Sequence, residues 1–414
     1  MLGNLFFSIH FCVNWRAKIT LIEEPNRPSS NPLARVYFKI GRYLISILVV
    51  TAVETATGQN LDRQIDSLQA LLKVAPDSSR FEVLFELFRL NLGTDLGEAE
   101  RFAKEALKIS SGLHDTLSLV KSNNALGYLK KEMGYPRLSI SYFETALHLA
   151  RLKNYRSQIK FLLNNLGLAY QKTANYARAL EYHLESLKLR EEDKDTQSIS
   201  VTLNNIGVLY QDLGDSENAF TYYKRNYDLK TKAKEFYDFE LCLTNLADVS
   251  NALGRFDQAK SYLNEAFDWC AQSRQCRKKN IGLAQQILGY SYMNSGELAE
   301  AEGEFLVASS LFSEIQSPDK IDSYRAIALV RFRMGDYDGA LEKLNIAQSM
   351  ATAYEIPKYL LQNYQLYADI YNKLNDYKKA ADFQRKFITL NDEIYNADLI
   401  KNIARVQSEH QEEE

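Results

Sequence analysis

Residues 163–191 read LNNLGLAYQKTANYARALEYHLESLKLRE, and the same spacing of residue types returns about every forty residues along the chain. In the next copy, residues 203–211 read LNNIGVLYQ. A small or apolar residue stands at the corresponding point of eight copies, and we call it the marker residue. The markers are Leu87, Gly127, Gly167, Gly207, Ala247, Gly289, Ala328 and Ala368, at intervals of 39 to 42 residues. Such a period is typical of arrays in which each unit buries its apolar face against its neighbours.

Each copy has the pattern of two helices joined by a short turn. A glycine follows the marker by seven residues in five copies, where it suits the C-terminal cap of a first helix. A small residue, most often alanine, follows the marker by 12 residues and would let the second helix approach closely. The prolines between residues 76 and 357 fall between copies or, as Pro136 does, in the first turn of a helix. The pattern predicts an all-α array over residues 79–400.

The glycine, tyrosine and alanine spacing of residues 163–191 resembles that of tetratricopeptide-repeat proteins. The copies are about 40 residues long where the usual repeat has about 34, and the pattern is most similar to the kinesin-light-chain-like subgroup. This resemblance implies a right-handed α-α superhelix, a solenoid of about eight helix-turn-helix repeats, with a capping helix over residues 59–78. The chain also resembles the tetratricopeptide sensor regions of bacterial signalling proteins.

Paired asparagines inside the first helix are the least expected feature of the repeat. Asparagine is about 0.5 kcal/mol less favourable than alanine in a helix interior, so its recurrence indicates a function. At about 100° per residue, the positions three and two before the marker, and one, four and five after it, point away from the apolar side of the first helix. We call the residues at these positions the groove face, because they would line the concave side of such an array.

The groove face is predicted to bind an extended protein or peptide segment. An asparagine side chain offers donors and acceptors, so a row of them can bond to a peptide backbone, as similar rows do in the kinesin-light-chain-like subgroup. The predicted peptide-binding residues are Asn124, Tyr128, Asn164, Asn165, Gln171, Asn204, Asn205, Gln211, Asn245, Gln286, Tyr290, Arg325 and Phe332. Asp248, Asn251 and Asn294 lie on the same face. In the alternative interpretation, the second asparagine of each pair ties adjacent repeats together.

The sequence argues against nucleic acid, metal and catalysis. The formal net charge is −3, and no stripe of lysine and arginine with interleaved aromatic residues occurs. None of the five histidines has a cysteine or carboxylate at ligand spacing, and His183 replaces an aromatic residue in a second helix, which favours a packed side chain. Glycine-rich phosphate loops and the common hydrolase motifs are absent. We therefore predict a protein that is not an enzyme and has no cofactor.

Residues 39–58 have the pattern of a secretory signal that begins unusually late. Two basic residues precede an 11-residue apolar run and small residues follow it, which predicts a cut between Gly58 and Gln59. The run is shorter than the roughly 20 residues that span a bilayer, and an uncleaved membrane anchor is the alternative. Residues 1–38 carry three prolines and no helical period, so we interpret them as a disordered leader or as sequence ahead of the true start. A bacterial protein exported to the periplasm or membrane is expected, and a cytoplasmic one if this segment is not a signal.

Residues 401–414 form a charged, helix-favouring tail without a stop signal. In similar signalling proteins such a helix leads into a membrane span and an output domain. The sequence therefore predicts an exported peptide-binding scaffold, with two alternatives: the sensor portion of a membrane-bound histidine kinase or transcriptional regulator, and a cytosolic adaptor. Cys270 and Cys276 could pair if the protein is exported, and free thiols are the alternative.

Overall fold

The computed structural model describes residues 58–113, 115–273 and 276–394, and the regular structure within them is entirely α-helical. These residues form seventeen helices, numbered here in chain order. They are α1 Gly58–Val74, α2 Asp77–Asn91, α3 Leu96–Gly112, α4 Thr116–Glu132, α5 Pro136–Leu152, α6 Arg156–Lys172, α7 Tyr176–Glu192, α8 Thr196–Asp212, α9 Ser216–Ala233, α10 Phe239–Ala252, α11 Phe256–Ser273, α12 Lys278–Ser295, α13 Leu298–Glu314, α14 Lys320–Met334, α15 Tyr337–Ala353, α16 Pro357–Lys373 and α17, residues 377–394.

The helices are arranged as pairs along the chain. Helix α1 precedes eight pairs, α2/α3 through α16/α17, and the first helix of each pair carries one marker residue. The predicted all-α repeat class, a superhelix of helix pairs, is confirmed. The predicted leader and tail, residues 1–38 and 401–414, lie outside the described residues, as do residues 39–57 of the predicted signal.

In seven of the eight pairs, the turn between the helices has a left-handed residue seven positions after the marker. Five glycines take this position with φ between 71° and 90°, and a residue without Cβ does so at no steric cost. Ala174 and Asn375 take the same position in their repeats with φ of 56° and 58°. The next residue is the N-cap of the second helix, and in several repeats it is an aspartate or asparagine whose side chain accepts hydrogen bonds from the first helical N–H groups. These caps are Asp95, Asn175, Asp215 and Asp336.

The marker decides how closely the two helices of a pair approach. Where the marker is glycine, an aromatic ring 16 residues later lies directly on it: a Cβ added to Gly127 would lie 2.6 Å from the ring of Phe143. At two of the three alanine markers a leucine takes the ring's place, as Leu263 does opposite Ala247. The sizes of the two residues are therefore complementary, as close packing of the interior demands.

The chain divides into two compact units, residues 1–165 and 166–414, and each has its own core. In the first unit, Leu84, Leu87 and Phe102 belong to one buried cluster between neighbouring helices. In the second, several clusters follow one another along the helix pairs, and Leu243 and Leu263 belong to one of them. Burial by stacked neighbours is what a repeat array predicts for its core.

Candidate functional site

The asparagines of the groove face are bonded to one another across adjacent repeats. In the first unit, the Asn165 Nδ2 donates to Asn124 Oδ1 at 2.9 Å. In the second unit, the Asn245 Nδ2 donates to Asn204 Oδ1 at 2.7 Å. These bonds are those of the alternative interpretation, in which the second asparagine ties two repeats together. One such bond uses only part of the donor and acceptor capacity of each amide, so peptide binding by the same residues stays a prediction.

The other two asparagines of the row are less exposed than a binding surface would suggest. Asn164 is buried, with 9% of its surface exposed, and Asn205 is half-buried. Little of the Asn164 side chain therefore reaches the solvent from which a ligand would approach.

A second row of polar bonds follows the positions four residues after the marker. Gln171 donates to Asp212 at 2.5 Å, and Gln211 donates to Asp248 at 3.1 Å. The Tyr223 hydroxyl donates to the Gln211 Oε1 at 2.5 Å, and burial raises the pKa of Tyr223 above its usual range. Both glutamines thus connect the first helix of one repeat to the first helix of the next.

Around α12 and α14 the predicted residues form a fixed polar cluster. Tyr290 donates its hydroxyl proton to Asp322 at 3.0 Å and accepts from the Arg325 guanidinium at 2.8 Å. Arg325 also bonds to Asp322 at 2.5 Å. Gln286 is buried and donates to the Ser323 hydroxyl at 2.9 Å. Asp322 was not among the predicted residues, and its carboxylate balances the charge of Arg325.

The two remaining predicted residues, Tyr128 and Phe332, are half-buried aromatic side chains in different units. The Lys131 ammonium lies 4.5 Å from the ring centroid of Tyr128, a cation–π distance. The ring of Phe332 packs against that of Tyr337, with 5.8 Å between centroids. Each therefore offers part of a ring to solvent beside a neighbour that holds it in place.

Two recesses of the second unit open on the groove face. The first, which we call the apolar recess, has a volume of about 350 Å³ and is lined by Arg325, Leu329, Leu361, Gln362, Gln365, Leu366, Asp369 and Phe387. The second, which we call the Asp248 recess, has a volume of about 280 Å³ and is lined by Asp248, Asn251, Ala252, Ile287, Tyr290 and Asn294. Gln365 and Asp369 were not among the predicted residues. They stand three before and one after the marker Ala368, so the same positional rule would have found them.

Among the described residues, no group of three or more histidine, cysteine, aspartate or glutamate side chains is placed to hold a metal ion. Within that part of the chain, no helix has the length and apolar character needed to cross a membrane. His183 is fully buried against Gly167, and burial together with the nearby Arg190 lowers its pKa from 6.5 to about 4. It is packed as an aromatic residue would be.

Cys270 and Cys276 form a disulfide bond, with their Cα atoms 5.3 Å apart. Cys270 lies in the last turn of α11, and Cys276 precedes α12. The bond therefore joins two successive repeats at the point where the marker interval lengthens to 42 residues. Cys242, by contrast, is a buried free thiol, and burial raises its pKa to about 12.

The tetratricopeptide repeat matches three segments of the sequence, residues 160–232, 242–273 and 361–394. No curated protein sequence matches the chain significantly. Each matched segment holds at least part of a helix pair, so the match agrees with the helical repeat seen in the structure.

Solved structures with a similar fold extend this likeness beyond the matched segments. The apo form of the quorum sensor NprR from B. thuringiensis aligns with a TM-score of 0.58 and 16% identity over 87% of this chain and 99% of that chain. A signal transduction ATPase with a tetratricopeptide-repeat sensor from Pyrococcus horikoshii aligns with a TM-score of 0.59 and 14% identity, over 85% of this chain and 53% of that chain. A tetratricopeptide-repeat protein from Parabacteroides merdae aligns with a TM-score of 0.50 and 18% identity, over 68% of this chain and 96% of that chain. The chain therefore contains tetratricopeptide repeats over the three matched segments, within a helical repeat fold.

Proposed function

We propose that this protein is a non-catalytic scaffold that binds an extended peptide or protein segment along its groove face. One observation carries the proposal: groove-face side chains of the consecutive first helices α10 and α12 line the Asp248 recess, and those of α14 and α16 form much of the apolar recess, which Phe387 of α17 completes. Recesses spaced along one face suit successive side chains of an extended ligand, and polar groups between them suit its backbone.

The chemistry of the face is that of peptide recognition. Leu329, Leu361 and Phe387 give the apolar recess an apolar floor, while Gln365 and Asp369 stand at its rim. An apolar ligand side chain buried there would gain roughly 1.5–3 kcal/mol by leaving water. Asn165 and Asn245 can add hydrogen bonds to the ligand backbone, because the bond that each donates to a neighbouring asparagine uses only one of its two amide hydrogens.

The proposal is tested by placing a charge and bulk in the apolar recess. Gln365 is exposed, so Gln365→Arg should not disturb the core. Peptides selected on the full-length protein from a random twelve-residue phage library should bind the variant at least about tenfold more weakly, measured by titration calorimetry. The matched control is Gln384→Arg on α17, which is also exposed and adds the same charge outside the recess. Equal affinity of wild type and Gln365→Arg for every selected peptide would contradict peptide binding in this recess.

We also propose that the protein is exported. The Cys270–Cys276 disulfide supports this, since such bonds persist in oxidising compartments and are rare in the cytosol. The signal-like residues 39–58 support it independently. Native protein should then be recovered from an exported fraction at about 41 kDa, the mass of residues 59–414, and not at 47.5 kDa. Full-length protein confined to the cytosol with both thiols reduced would contradict export.

A second candidate function is the sensor portion of a signalling protein. Two of the similar structures are described as a quorum sensor and as a protein with a repeat sensor, which motivates this candidate through the fold alone. In native cells, recovery of the sequence within a much larger membrane-bound protein would favour the sensor over the exported scaffold.

A further inference from the structure

We propose that the Asp248 recess is a subsite for a cationic side chain, so that the ligand of this protein is a peptide with a lysine or arginine at one defined position. The inference rests on the proposed function and names the chemical class that this part of the groove face selects.

An acidic group, the carboxylate of Asp248, lines the recess. Asp248 projects from α10 one residue after the marker Ala247, and its Oδ2 accepts a hydrogen bond from Gln211 at 3.1 Å. No lysine or arginine of the described residues forms an ion pair with it. The surrounding groove atoms partly desolvate the carboxyl group and raise its pKa. A carboxylate in that position, bonded only to a neutral amide, favours a cation from outside the chain.

Two side-chain amides and an aromatic ring belong to the walls of the Asp248 recess. Asn251 and Asn294 bring side-chain amides to the recess, and the ring of Tyr290 forms another side. Tyr290 is held in place by its bonds to Asp322 and Arg325 and by an edge contact with Phe305 at 4.9 Å between centroids. The Asn251 amide is already bonded within the chain, its oxygen accepting from the Ser291 hydroxyl and its Nδ2 donating to the Ile287 carbonyl. The amide oxygen of Asn294 and the Tyr290 ring can both attract a cation, the ring by the cation–π interaction.

The charges around the Asp248 recess disfavour an anionic ligand side chain. The guanidinium of Arg325, the nearest cation of this cluster, is bonded to Asp322, so its charge is already balanced. An anionic side chain entering the recess would meet Asp248 without a compensating positive charge. A volume of about 280 Å³ is ample for the end of a lysine or arginine side chain, whose apolar stem can lie along Ala252 and Ile287.

The test compares peptides selected from a random twelve-residue phage library on the full-length protein and on Asp248→Asn. The substitution keeps the shape of an exposed side chain, so circular dichroism and melting should be unchanged. Peptides selected on wild type should carry lysine or arginine at one fixed position, and this enrichment should vanish on Asp248→Asn. Asp257→Asn on α11, which removes an exposed carboxylate away from the recess, should retain it.

A second measurement tests whether the Asp248 carboxylate itself binds the basic side chain of the peptide. Replacing that lysine or arginine of a selected peptide by norleucine should weaken binding to wild type about tenfold, the low end for a bond to a charged group, and should have no effect on Asp248→Asn. Asn294→Lys, which places a cation in the recess, should also weaken the parent peptide. Peptides without a fixed basic position, or the same norleucine effect on both proteins, would overturn the cationic subsite and leave the proposed function intact. Failure to select any peptide on wild type would overturn both.

Discussion

Gly207→Ala is expected to lower the free energy of unfolding by about 3 kcal/mol, the upper part of the range for overpacking a core. The added Cβ would lie 2.4 Å from the ring of Tyr223. That ring is fully buried, and its hydroxyl is bonded to Gln211, so it has no free direction in which to move. Urea denaturation followed by circular dichroism measures the loss.

Two further variants show whether the cause is the ring. In the next repeat the corresponding pair is Ala247 and Leu263, both fully buried. Adding Tyr223→Leu to Gly207→Ala recreates that pair, so the double variant should be more stable than Gly207→Ala alone. Gly303→Ala is the matched control, because a Cβ there meets no atom within 4 Å, and it should stabilise helix α13 by roughly 1 kcal/mol. If Gly207→Ala behaves like Gly303→Ala, the account of the marker residue is wrong.

His183→Phe is expected to stabilise the protein by about 2 kcal/mol at neutral pH and to reduce its sensitivity to acid. His183 is fully buried on Gly167, and neither ring nitrogen has a hydrogen-bond partner. Leaving a polar group buried and unpaired costs roughly 1–3 kcal/mol. Phenylalanine fits the same position, since Phe143 lies on Gly127 in the preceding repeat. The reciprocal variant, Phe143→His, should be destabilised.

The pH dependence follows from the direction of the pKa shift. Burial lowers the pKa of His183 from 6.5 to about 4, so the unfolded chain binds the proton first as the pH falls. The stability that His183 contributes in its neutral form is complete above pH 6.5 and is lost between pH 6.5 and 4, by up to about 3 kcal/mol. Urea midpoints of wild type should therefore fall faster over this interval than those of His183→Phe. Parallel curves would contradict the buried neutral histidine.

The fold could be predicted from sequence because its signals are local and repeat in register. The marker interval, and the small residue 12 positions later, are visible without knowing any contact. Ala174 shows the limit of the glycine signal, because it takes the left-handed turn position that glycine takes in other repeats. The sequence also shows a small residue at Gly207 and a large one at Tyr223. Their sizes can be recognised as complementary only when the two residues are known to be in contact.

The site was less predictable than the fold. The position of a residue along a helix predicts which way its side chain faces, but it does not predict the residue to which that side chain bonds. The positional rule put Asn165 and Asn245 on the groove face, but it did not show that they bond to asparagines of the preceding repeat. Asp322 was missed because its role depends on Tyr290 and Arg325, which reach it from two helices. Cys270 and Cys276 were left open, since spacing alone does not fix the distance between two residues across a turn.

Photo-crosslinking from the groove face tests the central claim, that an extended segment binds there, most directly. Full-length protein with Gln365 replaced by p-benzoylphenylalanine is irradiated with a biotinylated peptide selected from the library, and Gln384 replaced in the same way is the comparison. Gln365 lines the apolar recess, while Gln384 is exposed on the second helix of the same repeat. A crosslink from position 365 that excess unlabelled peptide prevents, with none from position 384, is the predicted result. A crosslink from position 384 alone, or equal labelling from both, would contradict binding along the groove face.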